Sequence, residues 1–470
     1  MSEATLVTTP RKRLDGARAV VVGLGSSGES AALLLKSKGA DVVATDVRSR
    51  GAIGEASADR LENHGIALVL GGHVGVDLLA ADLVVVSPGV PSQPFMREAE
   101  RRGARLISEL ELGSWFVEGE LVAIGGTNGK STTTELAAAL VRTSGRPVFA
   151  GGNLGTPLSH AVMTNDAGIS AGGVAVVEVS SFQLERVSGF RPRASVLLNV
   201  TDDHLDRYPS FEAYAVAKGG GFKAQTSDDV AIVPHGDALC ARIASLGGGV
   251  LDRVDGPSGE ASVGLEGDDV VDFVRNVRIS RQEIKLSGRH NITNLCAAWA
   301  AARAVGADPA RFPAAVAAFE GLPHRTALVS ELDGVRWYDD SKGTNVGASV
   351  TALEGLAESC AVLIAGGRDK GGSYVPLVEA LRDKGRALVV IGEAADAIER
   401  AARGILGTHF TIERAGTMEQ AVEVARRLAK RGDAVLLSPA CSSFDMFRDY
   451  KHRGDAFVAA VKALEKAGDR

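Results

Sequence analysis

The sequence predicts a three-domain α/β protein, and two motifs and one compositional fact carry that expectation. The first motif is LVAIGGTNGKSTTTE at 121–135, where an apolar run of strand length (121–124) enters a glycine turn (125–129) and leaves through Lys130 and Ser131 into an alanine-rich helix (135–141). Strand, glycine turn, Lys-Ser and helix together make a phosphate cradle, because backbone N–H groups and the positive end of the helix face one point. The second is a strand at 17–24 overlapping Gly23-x-Gly25-x-x-Gly28, then a helix (29–38), a strand (40–45) and Asp46, which is the dinucleotide-type fingerprint in its full context. The compositional fact is 56 glycines in 470 residues, placed between periodic segments as in tight strand–helix turns. A chain of this length is too long for one core, and a soft prior gives about three domains.

The formal balance of 52 basic and 58 acidic residues leaves −6, so no basic field points to nucleic acid. The four cysteines lack metal or CxxC spacing, as suits reduced thiols. The first residues, MSEATLVTTPRKRLD, carry charges but no apolar targeting core, and nowhere do 18 apolar residues run together. The expectation is a soluble cytoplasmic protein without membrane insertion.

In chain order, the glycine fingerprint opens the first domain, whose glycines could instead serve packing alone. An apolar run at 81–87 ends in Pro88-Gly89-Val90-Pro91, at a strand's carboxyl end, where open α/β sheets bind ligands. A helix-like stretch follows at 94–103, and a domain boundary is expected near 108. In the middle domain, Lys130 is placed to reach β- and γ-phosphates and Ser131 to sit on Mg²⁺. A second glycine turn, 151–155, follows a short strand at 147–150. Glu178 sits inside the apolar strand 174–179, an expensive position unless it is paired or on a metal. Strand 194–200 ends in the polar cluster Thr201-Asp202-Asp203-His204-Leu205-Asp206-Arg207-Tyr208, where His204 beside three acids favours function over structure. Residues 228–287 read as short strands and turns. A helix begins after Gly288, with His290 and Asn291 as possible caps. Strands at 361–365, 387–391 and 434–438, with turns at 366–372 and 438–443, make a second doubly wound sheet after Gly321-Leu322-Pro323. Cys441 reads as a small core residue.

The blocks GGTNGKST, GGNLG, VEVSSFQLE, NVTDDHLDRY, SGRHNITN, GLPHR, DDSKGTNV and SPACSSFDMF occur in this order, and with them the chain resembles the Mur ligases over nearly its whole length. GTNGK alone is shared with folylpolyglutamate synthases, whereas SSFQLE and DDHLDRY point to the glutamate-adding branch and the DNPR block of the diamino-acid-adding sibling is missing. The resemblance implies an N-terminal Rossmann-like domain (1–108) for the UDP-substrate, a central P-loop ATPase-type domain (109–321) and a C-terminal Rossmann-like domain (322–470) for the amino acid. It implies an ATP-dependent amide ligase of peptidoglycan precursor synthesis that adds D-glutamate to UDP-N-acetylmuramoyl-L-alanine through an acyl phosphate, acting as a monomer.

The resemblance also assigns residues. Lys130, Glu178, His204 and Lys218 are catalytic. Two Mg²⁺ ions are held by Ser131, Glu178, His204 and a carbamylated Lys218. ATP meets Gly126, Thr127, Asn128, Gly129, Lys130, Ser131, Thr132 and Asn294, with Arg325 and Asp340 reaching it across an interdomain cleft. The UDP-substrate meets Gly25, Ser26, Ser27, Asp46, Arg48, Gly89 and Asn153. D-glutamate meets Lys342, Thr344, Lys370, Ser443 and Tyr450. From the residues alone Asp46 looks like a ribose acid, and the resemblance moves it toward uracil. Three positions depart from the family: Gly125 stands where threonine is common, Tyr450 where phenylalanine is common, and Gly220 where an arginine follows the carbamylated lysine. A run of three glycines, 219–221, is expected to make the backbone after Lys218 flexible. Two rival classes are a nicotinamide oxidoreductase, which leaves the later domains unexplained, and an ATP-switched binding module, which does not call for Glu178, His204 and Lys218 together.

Overall fold

The computed structural model describes residues 14–153, 155–203, 207–286 and 288–468. Over these the chain divides into two compact units. One holds 14–200, 207–280 and 294–316, and the other holds 201–203, 281–293 and 317–468.

The first unit contains two sheets. The N-terminal one is five-stranded, in the order β3 (Ala67–Leu70), β2 (Asp41–Asp46), β1 (Arg18–Val22), β4 (Leu83–Val86), β5 (Leu106–Ser108). All its pairings are parallel. Valines dominate β1 and β4 because helices cover both faces of such a sheet and leave no side for polar groups. Since the chain runs outward from β1 in one direction and returns at β4 to run in the other, the sheet has its switch point between these two strands.

The second sheet is nine-stranded: β14 (Val277–Ser280), β13 (Asp269–Asp272), β12 (Val263–Glu266), β11 (Val250–Val254), β10 (Val230–Pro234), β9 (Ala194–Leu197), β6 (Glu120–Gly125), β8 (Val174–Glu178), β7 (Val148–Gly152). Pairing is parallel from β7 through β12 and antiparallel at β12–β13 and β13–β14. β6 lies inside the parallel part, with Ile124 opposite both Glu178 of β8 and Val196 of β9. One apolar core runs from the N-terminal sheet (Val21, Ala44, Val85) through Leu110, Leu112 and Trp115 into the central sheet (Ala123, Phe149, Val177). Between 228 and 287 the expected strands occur, but a helix, Ala238–Ala244, was not foreseen. Asp237 caps it by accepting from the Cys240 amide at 2.9 Å, and its buried face is Cys240, Ile243 and Ala244.

The second unit is built on a six-stranded sheet: β15 (Ala327–Leu332), β16 (Val335–Asp339), β20 (Ala434–Leu437), β17 (Ala361–Gly366), β18 (Gly385–Ile391), β19 (Ile412–Arg414). Only β15 is antiparallel to its neighbour. Separate apolar clusters lie on its two faces, as a doubly wound sheet requires.

The antiparallel end of the central sheet is held by a buried charge. Asp272, fully buried, accepts from Trp299 Nε1 and Arg303 Nη1, both at 2.9 Å, and Arg303 Nη2 reaches Asp252 at 2.9 Å and Ser262 at 2.7 Å. Removing the carboxylate leaves a partly buried guanidinium and the buried Trp299 Nε1 short of a partner. Asp272→Ala is therefore expected to lower stability by about 3 kcal/mol, read as a shift in the urea midpoint followed by tryptophan fluorescence.

Candidate functional site

At the N-terminal switch point the glycines divide into two roles. Gly23 has φ +90°, and a Cβ there would strike Val90; a Cβ on Gly28 would strike the Gly23 carbonyl. These two serve the tight turn and close packing. Above Gly25 the nearest atom is Ser87 Oγ at 4.0 Å, so backbone there is open to a ligand. Helix Ser26–Ser37 starts at this point and brings Ser26 and Ser27 to its first turn. Gly89, with no atom within 4 Å of an added Cβ, lies in the turn after β4, across the same crevice. Asp46 ends β2 and is clasped: its carboxylate accepts from the Leu24 amide at 2.7 Å, the Arg48 amide at 2.8 Å and the Arg48 guanidinium at 2.9 and 2.7 Å. Burial works to raise its pKa, but the Arg48 side chain and the two amides outweigh that and hold it at about 2. Asp46 is thus a fixed anion that presents Arg48.

The phosphate-loop motif forms as expected, except that its helix begins at Lys130, immediately after Gly129 in the left-handed region at φ +84°. A Cβ on Gly129 would strike Asn294 Oδ1. Asn294 lies buried one turn into helix Arg289–Ala304, so His290 and Asn291 belong to the first turn rather than capping it. Burial alone lowers the His290 pKa to about 4, which keeps this ring neutral.

Lys130 Nζ donates to the Thr127 carbonyl at 2.7 Å. Behind it Ser131 Oγ donates to Glu178 Oε2 at 2.5 Å, and Asn153 Nδ2 donates to Glu178 Oε1 at 2.7 Å. Thr132 is buried in the same helical turn. Glu178, the last residue of β8, is only 4% exposed. A hydroxyl and a carboxylate side by side at the loop are hard oxygen donors of the kind Mg²⁺ takes together with phosphate and water. Asn153, expected along the sugar nucleotide, stands against this carboxylate. Among the described residues no group of three or more His, Cys, Asp or Glu gathers as a metal site. His204 lies outside the described residues.

Lys218 is buried and closes helix Phe211–Lys218, donating to the Gly126 carbonyl at 2.9 Å with its ammonium 4.4 Å from the Tyr214 ring centre. Tyr214 Oη in turn lies 3.0 Å from Thr127 Oγ1. The glycines after it do not loosen the backbone, which corrects the sequence expectation. They form a buried turn in which a Cβ on Gly219 would come within 2.5 Å of Leu246, one on Gly220 within 2.5 Å of the Leu184 carbonyl, and one on Gly221 within 2.8 Å of Ser195 Oγ. The Leu184 carbonyl excludes a side chain at Gly220, and the buried turn sets Lys218 against the loop.

The SSFQLE and DDHLDRY blocks are partners. Arg207 donates to Glu185 at 3.2 and 2.9 Å and to the Pro88 carbonyl at 2.8 Å, and lies 3.9 Å over the Phe182 ring. Tyr208 Oη donates to Glu185 at 2.6 Å. Ser180 and Gln183 close a capping box at the start of the short helix Ser181–Leu184.

In the second unit, three strand-end loops meet. Lys342 of the loop after β16 lies 4.0 Å over the Tyr450 ring, and Thr344 follows it, its amide donating to the Lys342 carbonyl at 2.8 Å. Ser443, 2% exposed, belongs to the loop after β20. The Arg368 amide donates to the Ser442 carbonyl at 2.8 Å, which joins that loop to the turn bearing the exposed Lys370. Arg453, missed in the sequence, holds this arrangement from beneath. It is fully buried and donates to Ser341 Oγ at 3.0 Å, the Ser341 carbonyl at 2.8 Å and the Cys441 carbonyl at 3.1 Å. A lone arginine on the apolar face of the last helix, one turn before Phe457, was the available signal. Burial raises the Cys441 thiol to about 11, as fits a core residue rather than a nucleophile.

The chain matches three family models: the MurD-like N-terminal domain of Mur ligases over 17–108, the Mur ligase middle domain over 124–302 and the Mur ligase glutamate ligase domain over 324–441. The chain belongs to the Mur ligase family. Relatives of this Mur ligase include the UDP-N-acetylmuramoylalanine–D-glutamate ligase of Geotalea daltonii, 44% identical over 461 residues, with 96% of this chain and 98% of that protein covered. The ligase of the same name from Geobacter metallireducens is 44% identical over 455 residues, covering 96% and 98%. Among solved structures, MurF ligase from Thermotoga maritima in complex with ADP shares the fold at TM-score 0.57 and 18% identity, covering 83% of this chain and 100% of that one. No described helix of the Mur ligase chain is long and apolar enough to cross a membrane.

Asp340, buried, accepts from Ser438 Oγ at 2.6 Å and from Thr326 at 3.2 and 3.3 Å. Burial raises its pKa to about 7, with Ser438 and the nearby Arg325 pulling the other way. A folded-state pKa above the unfolded one means that its protonated form stabilises the fold at low pH, and that this contribution fades as pH rises through about 7. Stability of the unmodified protein relative to Asp340→Asn is therefore expected to fall between about pH 4 and pH 7. Denaturant melts of both proteins across that range check it, and parallel curves count against it.

Proposed function

We propose that this Mur ligase joins D-glutamate to UDP-N-acetylmuramoyl-L-alanine, using ATP, in peptidoglycan precursor synthesis. The 44% identity over 96% of the chain to a ligase of that name carries the proposal, and the grouping of Lys130, Ser131, Glu178 and Lys218 about one glycine loop supports it. The rival nicotinamide and binding-module readings offer no use for that grouping.

A carboxylate does not condense with an amine at neutral pH because oxide is a poor leaving group. The terminal carboxylate of the UDP-substrate attacks the γ-phosphorus, the bond to the β-bridging oxygen breaks, and ADP departs. The D-glutamate nitrogen, having lost a proton, attacks the acyl carbon of the resulting acyl phosphate. The carbon–oxygen bond to phosphate breaks, and inorganic phosphate leaves with the second proton that the nitrogen gives up as the amide forms. Lys130 follows the γ-phosphate through the transfer, and the amides of Gly129 and the first helical turn neutralise charge as it spreads, so catalysis here is positioning and electrostatics. Gly126, Thr127, Asn128, Gly129 and Thr132 line the triphosphate, and Asn294, Arg325 and Asp340 take the rest of the nucleotide. Gly25, Ser26, Ser27, Asp46, Arg48, Gly89 and Asn153 take the UDP-substrate. Lys342, Thr344, Lys370, Ser443 and Tyr450 take D-glutamate, whose two carboxylates suit ammonium and hydroxyl donors.

Ser131, Glu178, His204 and a carbamylated Lys218 are proposed to hold two Mg²⁺ ions, which when bound would screen the phosphate charge. CO₂ on the neutral Lys218 amine would replace a cation with two metal-binding oxygens. The proposed domain limits are 108 and 321, in a monomer of the cytoplasm.

Phosphate release that requires ATP, UDP-N-acetylmuramoyl-L-alanine and D-glutamate together tests the function, and hydrolysis indifferent to either co-substrate overturns it. Lys130→Ala is expected to slow amide formation roughly a hundred- to a thousandfold, and near-normal turnover would remove the loop from the mechanism. Lys218→Ala is expected to lose most activity and to regain part of it with a short carboxylic acid in the buffer. An alanine variant of unchanged rate would leave the carbamate without a role.

A further inference from the structure

Asn199 stands two residues beyond β9, the strand that pairs with the phosphate-loop strand β6. Its side chain makes the contacts of a clasp. Oδ1 accepts from the Thr127 amide at 3.1 Å and the Asn128 amide at 2.9 Å, while Nδ2 donates back to the Asn128 carbonyl at 3.2 Å. Its own carbonyl also accepts from the Thr127 amide at 3.0 Å. None of the residues singled out for ATP in the sequence includes it.

We propose that Asn199 is a positioning residue for ATP, holding the glycine loop so that its cationic side chain and its later amides converge on the triphosphate. The geometry has two consequences. First, the amides of Thr127 and Asn128 are committed to protein, so the phosphate cradle is read from Gly129 into the first helical turn rather than from the whole loop. Second, fixing the Thr127 peptide fixes its carbonyl, on which Lys130 Nζ rests at 2.7 Å. Asn199 therefore sets the aim of Lys130 through one intervening peptide. Loop glycines make such a clasp necessary. Gly126 at φ +142° and Gly129 at φ +84° both adopt conformations that only glycine takes easily, and a loop with that freedom needs an external tether to hold one shape. Only a primary carboxamide of this length supplies an acceptor for the two amides and a donor for the Asn128 carbonyl. Aspartate matches its volume but has no donor and adds negative charge beside phosphate.

The inference rests on the nucleotide role proposed for the loop, and its test separates the two. Hydrogen–deuterium exchange of the peptide covering 124–130 is measured in the full-length protein with no ligand added, for the unmodified chain and Asn199→Ala. Exchange there is expected to rise roughly ten- to hundredfold, as amides losing a partner do, with peptides of the N-terminal sheet unchanged. Steady-state kinetics with the three substrates should then show the KM for ATP raised by about tenfold or more and the KM for D-glutamate unchanged. Unaltered exchange, or a KM for ATP that stays put although exchange rises, overturns the proposal. So does an equal loss for all substrates, which is the mark of general damage. If Asn199→Ala does not fold, Asn199→Asp serves. It keeps the acceptor bonds and loses the Nδ2 donor, so its KM for ATP should still rise while its melting midpoint stays near that of the unmodified protein, and a normal KM overturns the proposal equally. A Lys130→Ala variant of normal activity would instead refute the nucleotide role of the loop while leaving the exchange result intact.

Discussion

Parallel pairing of β6 with β8 on one side and β9 on the other is the constraint on which the first unit depends. It sets three chain reversals at one edge of the sheet. The glycine loop leaves β6, Glu178 ends β8, and the stretch beginning at Asn199 follows β9. Because a parallel sheet delivers every carboxyl end to the same side, residues far apart in sequence reach hydrogen-bond distance without any long-range adjustment. Ser131 and Glu178 meet at 2.5 Å across a separation of 47 residues for that reason. Helix Phe211–Lys218 then adds Lys218 from the flank, followed by a buried glycine turn in which the Leu184 carbonyl leaves no room for a side chain at Gly220.

The two units handle buried charge differently, and each solution fits its place. Asp46 is matched with Arg48 and two amides, so it stays ionised although burial opposes this. Asp340 has hydroxyl and amide donors but is buried deeply enough that burial wins, and its pKa rises to about 7. Arg453 goes further. It lies fully buried and spends its donors on a hydroxyl and carbonyls, with burial lowering its pKa to about 10. A carbonyl carries only a partial charge, so this guanidinium acts as a rigid fork that joins two loops.

Local patterns were legible wherever one element carried its own signal. Valine runs marked the strands buried on both faces, and glycine turns marked their carboxyl ends. The phosphate loop was read with its residues in register, though its helix starts five residues sooner than the alanine run suggested, because Lys130 and Ser131 already lie in the first turn. The glycine run 219–221 was misread, since composition gives glycine's freedom but not the neighbours that forbid a Cβ. Helix Ala238–Ala244 was missed because about two helical turns among β-strands leave too few periods to register.

By itself the sequence determined the α/β class, the phosphate loop, the paired nucleotide-type sheets and the family resemblance, all of which are written in contiguous residues with fixed spacing. Tertiary structure alone decided who touches whom. It made Asn153 a partner of Glu178, turned SSFQLE and DDHLDRY into one clamp through Glu185, Arg207 and Tyr208, and put Asn199 and Arg453 beneath the loops they hold. Such contacts join residues 22 to 112 positions apart. Their partners are chosen by sheet order and register, which local periodicity does not encode.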